Sequence, residues 1–395
     1  LNRFRIRTLN RIAPEGLVLF GARYTVGPEV RDPHGIVVRS APVDTALFPS
    51  LLAVARAGAG VNNITVARAT AEGICVFNTP GANANAVAEL VFTMLGLAAR
   101  NIHRGVEFSR SLAGLSDEEI SLQVEKNKAA FRGIELAGKT LGVLGLGKIG
   151  VRVANGGVLR QMRVIGFDPY PALENVHMLS PEVTLARSLG EAVRTSDILS
   201  LHVPLNEKTR GLVDVAFLQQ MPRGALLVNY SRAAVVDDEA VLQALDQERL
   251  SGYVTDFPAR ALLRHPLIIA SPHLGASTEE SEEQSASMAV QEIKAYLEHG
   301  NVIRSVNFPT VESIRPDNVR TRFIMINQDV PGMIGFASQT IGAHGINIVS
   351  YLNESNGAIG YNIIDVEDDV PREVVAQIRA HPGVIRTRTI HYPRN

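Results

Sequence analysis

The chain has 395 residues, 46% of them hydrophobic and 20% charged, which is material for two or three packed globular domains and excludes a disordered or fibrous chain. A formal net charge of −1 excludes a broad basic face for nucleic acid or anionic membrane and points to small-molecule partners. The single cysteine, Cys75 in the apolar run ICVFN, forms no internal disulfide, reads as a buried inert thiol and fits a reducing cytoplasm.

The longest apolar segment, VAELVFTMLGLAA (87–99), contains Glu89 and is too short to span a bilayer. LNRFRIRTLN lacks the apolar centre of a signal peptide, so neither a membrane span nor export is expected.

In chain order, four apolar β-branched runs precede residue 80: RIRTL, GIVVRS, LLAVARA and ICVFN, with helical spacing between several of them. That alternation predicts a parallel βα domain. An amphipathic helix from about Ala86 to Asn101 leads through a polar stretch (116–128) into TLGVLGLGKIG. Strands then alternate with helices again through RVIGFD, DILSLHV, ALLVNYS, GYVTD and LIIAS, which predicts a doubly wound sheet. Asp237, Asp238 and Glu239 mark the first turn of a helix between ALLVNYS and GYVTD. A Glu-rich helix from about Thr278 to His299 is expected to pack back on the first domain, making it discontinuous. From about Arg320 the order strand, helix, strand, strand, helix, strand is the ferredoxin-like βαββαβ pattern.

Gly145, Gly147 and Gly150 form GLGKIG directly after a strand and at the opening of a helix, with Asp168 following the next strand. In that context the glycines let the backbone approach a pyrophosphate at a helix N-terminus, with Lys148 and Ile149 in the same turn. Asp168 there accepts from ribose hydroxyls and repels a 2′-phosphate, which favours NAD; an Asp-Pro pair is also an ordinary turn signal. Arg232 and His273 each fall just past a strand end of this sheet, on the edge where such sheets bind ligands. An arginine there suits bidentate grip of a carboxylate, and the histidine suits proton transfer.

With these stretches in view, the chain resembles the D-2-hydroxyacid dehydrogenase family, in the branch that carries a C-terminal ACT domain. The resemblance rests on VRSAPV, RAGAGVNN, NTPGANANAVAEL, LAGKTLGVLGLGKIG, LHVPLNEKTRGLV, VNYSRAAVVD and PHLGAST, in order over nearly the whole chain. It implies a flavodoxin-like substrate domain (1–90 and 278–305), a Rossmann NAD domain (91–277), a linker (306–319) and an ACT-like regulatory domain (320–395). It implies that Ala59 and Gly60 of the AGAG turn offer N–H groups to the substrate carboxylate, that Arg232 fixes that carboxylate and the 2-oxygen, and that His273 moves the hydroxyl proton. His202, Pro204, Thr209, Asn229 and Asp256 match cofactor-facing positions, Asp256 at the nicotinamide carboxamide. Arg39, Ser40, Arg56 and Asn83 match positions that hold substrate, and an arginine cluster suits a phosphorylated acid, 3-phosphoglycerate. A glyoxylate or hydroxypyruvate reductase is the alternative enzyme, and a non-catalytic NAD-binding regulator, like the C-terminal binding corepressors, is the alternative from another class. The family's flanking helices imply a homodimer or homotetramer; no metal is called for.

One departure stands out. The family glutamate that pairs with the histidine is absent, and Pro258, Ala259, Arg260 and Ala261 occupy that stretch. Glu279, Glu280 or Asp256 replaces it, or His273 acts unpaired, or turnover has been lost. In the ACT-like unit Asn347 matches a serine-binding position, but Asn327 and Asp329 replace the usual His-x-Asn before Pro-Gly. Serine as effector and a purely structural module both stay open.

Overall fold

The computed structural model describes residues 3–392. It divides into two compact units, one running to Ala82 and resuming at Glu279, the other spanning Asn83–Thr278.

In the first unit β1 (Phe4–Leu9), β2 (Tyr24–Gly27), β3 (Gly35–Val38), β4 (Ala53–Arg56) and β5 (Cys75–Asn78) form a sheet of order β2-β1-β3-β4-β5 with every pair parallel. This is the flavodoxin-like order. Both faces are covered, so the strands read as continuous apolar runs: Val37, Ala55 and Phe77 face one core, and Ile36, Val38, Val54 and Val76 the other. Helix Glu279–His299 closes the first face with Ala286, Ala289, Val290, Ile293 and Leu297. It lies so close to the short helix Pro14–Leu17 that a Cβ on Gly16 would sit 2.5 Å from that of Ala286. The edge strand β2, with Tyr24 its one buried residue, was not legible as a strand.

The C-terminal residues form β13 (Thr321–Gln328), β14 (Ile348–Ser355), β15 (Ile359–Val366) and β16 (Val384–His391), an antiparallel sheet of order β14-β15-β13-β16. Helices Met333–Ala343 and Arg372–Arg379 cover Phe323, Met325, Ile364 and Val366 on one face. The opposite face, with Ile324, Ile326, Tyr361 and Ile363, joins the core of the first sheet. Arginines seal this junction. Arg388 donates to the carbonyls of Tyr296 and Leu297, and Arg322, paired with Asp365 through two 2.8 Å bonds, donates to that of His299 at 2.8 Å. The Tyr296 carbonyl also accepts from Gly300 N at 2.8 Å, whereas those of Leu297 and His299 are carbonyls of the last turn, which a helix end leaves to other donors. The C-terminal sheet therefore packs as one body with the first unit, where the sequence suggests a separate domain after a linker.

The second unit holds β6 (Thr140–Leu144), β7 (Arg163–Phe167), β8 (Thr184–Leu185), β9 (Ile198–Leu201), β10 (Ala225–Asn229), β11 (Leu250–Thr255) and β12 (Ile268–Ala270). Their order, β12-β11-β10-β9-β6-β7-β8, is all parallel and reverses direction between β6 and β9, which opens a crevice at the carboxyl ends of those strands. Helix Ala84–Ala99 belongs wholly to this unit, so the seam falls at 82/83 rather than 90/91. Its Phe92 ring would lie 2.4 Å from a Cβ on Gly156, and that closeness to helix Lys148–Leu159 is what binds it here. The polar stretch 116–128 is a helix, Asp117–Asn127, started by a capping box between Ser116 and Glu119.

Candidate active site

The glycine turn after β6 has the shape its sequence implies. Gly145 is left-handed (φ 89°), and a Cβ there would lie 2.7 Å from the carbonyl of His202; one on Gly150 would lie 1.9 Å from the carbonyl of Gly145. Gly147, the N-cap of helix Lys148–Leu159, has open space where a Cβ would be. That first turn carries no acidic residue and no side-chain cap, so its N–H groups and dipole favour an incoming pyrophosphate. Ile149 packs its side chain against the core beneath.

Asp168, just beyond β7, ties the turn together: one carboxylate oxygen accepts from Leu146 N (2.8 Å) and the other from Tyr170 N (2.9 Å). Each oxygen keeps a lone pair for a ribose hydroxyl. His202 follows β9, its Nε2 2.8 Å from Ser200 Oγ and its buried Nδ1 without a protein partner. Burial pushes its pKa down to about 3, which keeps the ring neutral. Thr209 closes the neighbouring turn by donating to the carbonyl of Pro204 at 2.5 Å. A glycine turn that only small residues can form, an acid-free helix start and a fixed acid at the next strand fit a dinucleotide.

Two assigned residues act differently from expectation. Asn229 is fully buried; its amide donates to Arg232 O (3.1 Å) and its oxygen accepts from Ser231 N and Oγ (3.0 and 2.8 Å). It organises the turn that exposes Arg232 and has no group left to face a cofactor. Asp256, 3% exposed, accepts from Ser271 Oγ (2.6 Å), Leu274 N (2.8 Å) and Gly275 N (2.8 Å). Its carboxylate is bonded into the loop that carries His273, and its partners there are backbone N–H groups and a serine hydroxyl, not the imidazole.

His273 is exposed and left-handed (φ 56°), its ring edge-on to Phe257 with centroids 5.3 Å apart. Among the described residues of this unit no carboxylate is ion-paired with the imidazole. The stretch that lacks the family glutamate turns straight into a 3-10 helix, Leu262–Arg264, whose Leu262 plugs the core beside Ala259.

In the first unit the residues expected to hold substrate come from two loops. Arg39 and Ser40 follow β3; Asn10, left-handed at φ 69°, accepts from Ser40 N (3.0 Å) and Ala41 N (2.6 Å) through one side-chain oxygen. Asn63 donates to Ala41 O at 2.7 Å. Arg56 proves to be a staple: its Nε donates to Arg39 O (2.9 Å) and its Nη1 to Gly60 O (2.6 Å). With Asn78 donating to Ala59 O (2.5 Å), the turn's carbonyls are occupied, while the half-buried N–H groups of Ala59 and Gly60 have no acceptor among the described residues. Two adjacent donors so placed suit a carboxylate. Arg39 Nη1 itself pairs with Glu282 Oε1 at 2.6 Å, a partner 243 positions away that sequence spacing gave no means to see. Asn83, in the other unit, starts helix Ala84–Ala99 with no side-chain capping bond.

Of the effector residues, Asn327 is buried and bonded to Asn362 (2.6 Å) and Gln328 O (2.7 Å), so it is not available to a ligand. Asp329 and Asn347 are exposed, Asp329 accepting from Ser355 Oγ at 2.6 Å.

Residues 94–275 match the D-isomer specific 2-hydroxyacid dehydrogenase NAD-binding domain. A D-3-phosphoglycerate dehydrogenase of Haemophilus influenzae is 31% identical, the match covering 92% of this chain and 88% of the relative. That of Escherichia coli is 30% identical with the same two coverages. The chain belongs to the D-isomer specific 2-hydroxyacid dehydrogenase family. It is an NAD-dependent dehydrogenase. The fold agrees with the NAD+-bound 3-phosphoglycerate dehydrogenase structure of Entamoeba histolytica, with a TM-score of 0.60 at 24% identity over 77% of this chain and 98% of that one. The described residues contain no helix long and apolar enough to cross a membrane.

Proposed function

We propose that this dehydrogenase oxidises D-3-phosphoglycerate at C2 to 3-phosphohydroxypyruvate, the first step of phosphorylated serine synthesis, in the cytoplasm. The observation that carries the reading is the pairing, in one unit, of an arginine on a pinned loop (Arg39) with two unpartnered backbone donors at Ala59 and Gly60. Such a set reads a phosphate and a carboxylate on one small molecule.

The second unit supplies the chemistry. Arg232, presented by Asn229, holds the carboxylate and the C2 oxygen. His273 takes the proton from the C2 hydroxyl as the C2–H bond gives up hydride. NAD, bound at the glycine turn, supplies the hydride acceptor. His273 takes up that proton as the base and then returns it to water.

Two finer points belong to the same proposal. Helices Ile102–Ser111 and Asp117–Asn127 leave Ile102, Val106, Leu122 and Val124 exposed beside a groove floored by Phe108 and Phe131. That apolar face suits pairing with a second copy to form a homo-oligomer. The C-terminal sheet is read as an ACT-type module, with serine as its amino-acid effector at Asp329 and Asn347.

The test is NADH appearance with D-3-phosphoglycerate, D-lactate, D-glycerate and 2-hydroxyglutarate side by side, and the reverse reaction with 3-phosphohydroxypyruvate. Turnover confined to the phosphorylated pair is expected. Equal rates on the unphosphorylated acids would instead favour a general 2-hydroxyacid reductase.

A further inference from the structure

Arg39 is held unevenly. Its backbone is fixed, because Arg56 takes its carbonyl and Asn10 takes the next two N–H groups. Its guanidinium, by contrast, has one charged partner among the described residues, the carboxylate of Glu282 at 2.6 Å, with both side chains 38% exposed. Glu282 lies in the first turn of helix Glu279–His299, where the helix dipole favours a carboxylate. The helix is fixed by Ser285, Ala286 and Ala289 in the core, so the carboxylate is delivered to Arg39 by a rigid element rather than by a loop.

We propose that Glu282 is a built-in counterion that competes with the substrate phosphate for Arg39 and so limits selectivity for phosphorylated acids. This rests on the reading of Arg39 as the phosphate contact. A phosphomonoester carries nearly two negative charges and three acceptor oxygens, so it outcompetes one carboxylate for a guanidinium. A neutral hydroxymethyl group, as on glycerate, does not, and leaves the pair closed. The exposed ion pair is weak, so the competition is shallow and reversible. It acts on binding, and its signature is in KM.

The experiment compares the full-length enzyme with Glu282→Gln and Arg39→Met, measuring KM for D-3-phosphoglycerate and for D-glycerate. Calorimetric titration of 3-phosphoglycerate into each protein gives the same comparison without turnover. In Glu282→Gln the ratio of the phosphorylated to the unphosphorylated KM falls by about two- to fivefold, the size of an exposed ion pair. In Arg39→Met the same ratio rises. If Glu282→Gln leaves the ratio unchanged or raises it while Arg39→Met raises it, the counterion role is overturned and Arg39 keeps its assignment. If Arg39→Met leaves the ratio unchanged, the phosphate reading fails and the inference falls with it. A thermal melt of Glu282→Gln records any loss of helix stability, which would move both KM values together and not their ratio.

Discussion

Asp256 holds His273 through the backbone. The Asp256 carbonyl accepts the His273 N–H at 3.1 Å, and its carboxylate gathers the N–H groups of the next two residues, Leu274 and Gly275, at 2.8 Å each. This is how a non-glycine residue is kept at φ 56°, a conformation that costs of order 1 kcal/mol and persists only when its surroundings over-determine it. Asp256→Asn turns one acceptor oxygen into a donor that faces an N–H. The variant is expected to lose about 1–3 kcal/mol of stability, the cost of a buried donor left unpaired, and to lower kcat about tenfold or more by letting the imidazole wander. Thermal melts and steady-state kinetics measure both, and undiminished kcat would show that the loop does not need this carboxylate.

His273 itself is the proton carrier. His273→Gln keeps a similar shape and polarity but removes the base, and kcat is expected to fall by about 10²–10⁴. NADH binding, followed by fluorescence titration, is expected to stay as it was, because the ring touches Phe257 and not the glycine turn. Full turnover in this variant would mean that another group takes the proton.

These two residues also mark where the sequence is informative and where it stops. GLGKIG, Asp168, Arg232 and His273 stand out in the sequence because each lies beside a strand signal, and local chemistry at a strand end carries positional meaning. Both parallel sheets were legible for the same reason: GIVV and ALLVN are continuous apolar runs, as strands covered on both faces must be. Asp256 and Asn229 were assigned to the cofactor because sequence shows a polar residue at a strand end but not which way it faces. Asn10 and Glu282 were missed because their partners, Ser40 and Arg39, are brought near by the fold alone. The helix Asp117–Asn127 has a local signal in Ser116 and Glu119, which spell a capping box. The docking of the C-terminal sheet was hidden because Arg388 and Arg322 bond to backbone carbonyls, which no side-chain pattern announces.

Asp168 predicts cofactor choice. Its two oxygens stand at the tip of β7, fixed by Leu146 and Tyr170, where a 2′-phosphate would meet a carboxylate. Asp168→Ser removes the repulsion and one charge-assisted ribose contact, worth about 1.5–3 kcal/mol. The KM for NAD is expected to rise at least tenfold while that for NADP falls. An unchanged NAD to NADP preference would place the ribose elsewhere.

Glu292 predicts a pH dependence of stability rather than of catalysis. It sits fully buried in helix Glu279–His299, with Oε1 accepting from Arg304 Nε at 2.6 Å and Oε2 without a hydrogen-bond partner. Burial raises its pKa from 4.5 to about 7, and the Arg304 hydrogen bond and charge only partly oppose the rise. A carboxyl whose pKa is raised by folding binds its proton more tightly in the native state. Its stabilising contribution is complete below the unfolded value of 4.5 and is lost as pH climbs through about 7. Glu292→Gln keeps the acceptor for Arg304 and has no proton to lose. The melting temperature of the parent protein, measured relative to that of Glu292→Gln, is therefore expected to fall between about pH 5 and pH 8. Parallel curves for the two proteins over that range would show that Glu292 is charged throughout, with Arg304 outweighing burial.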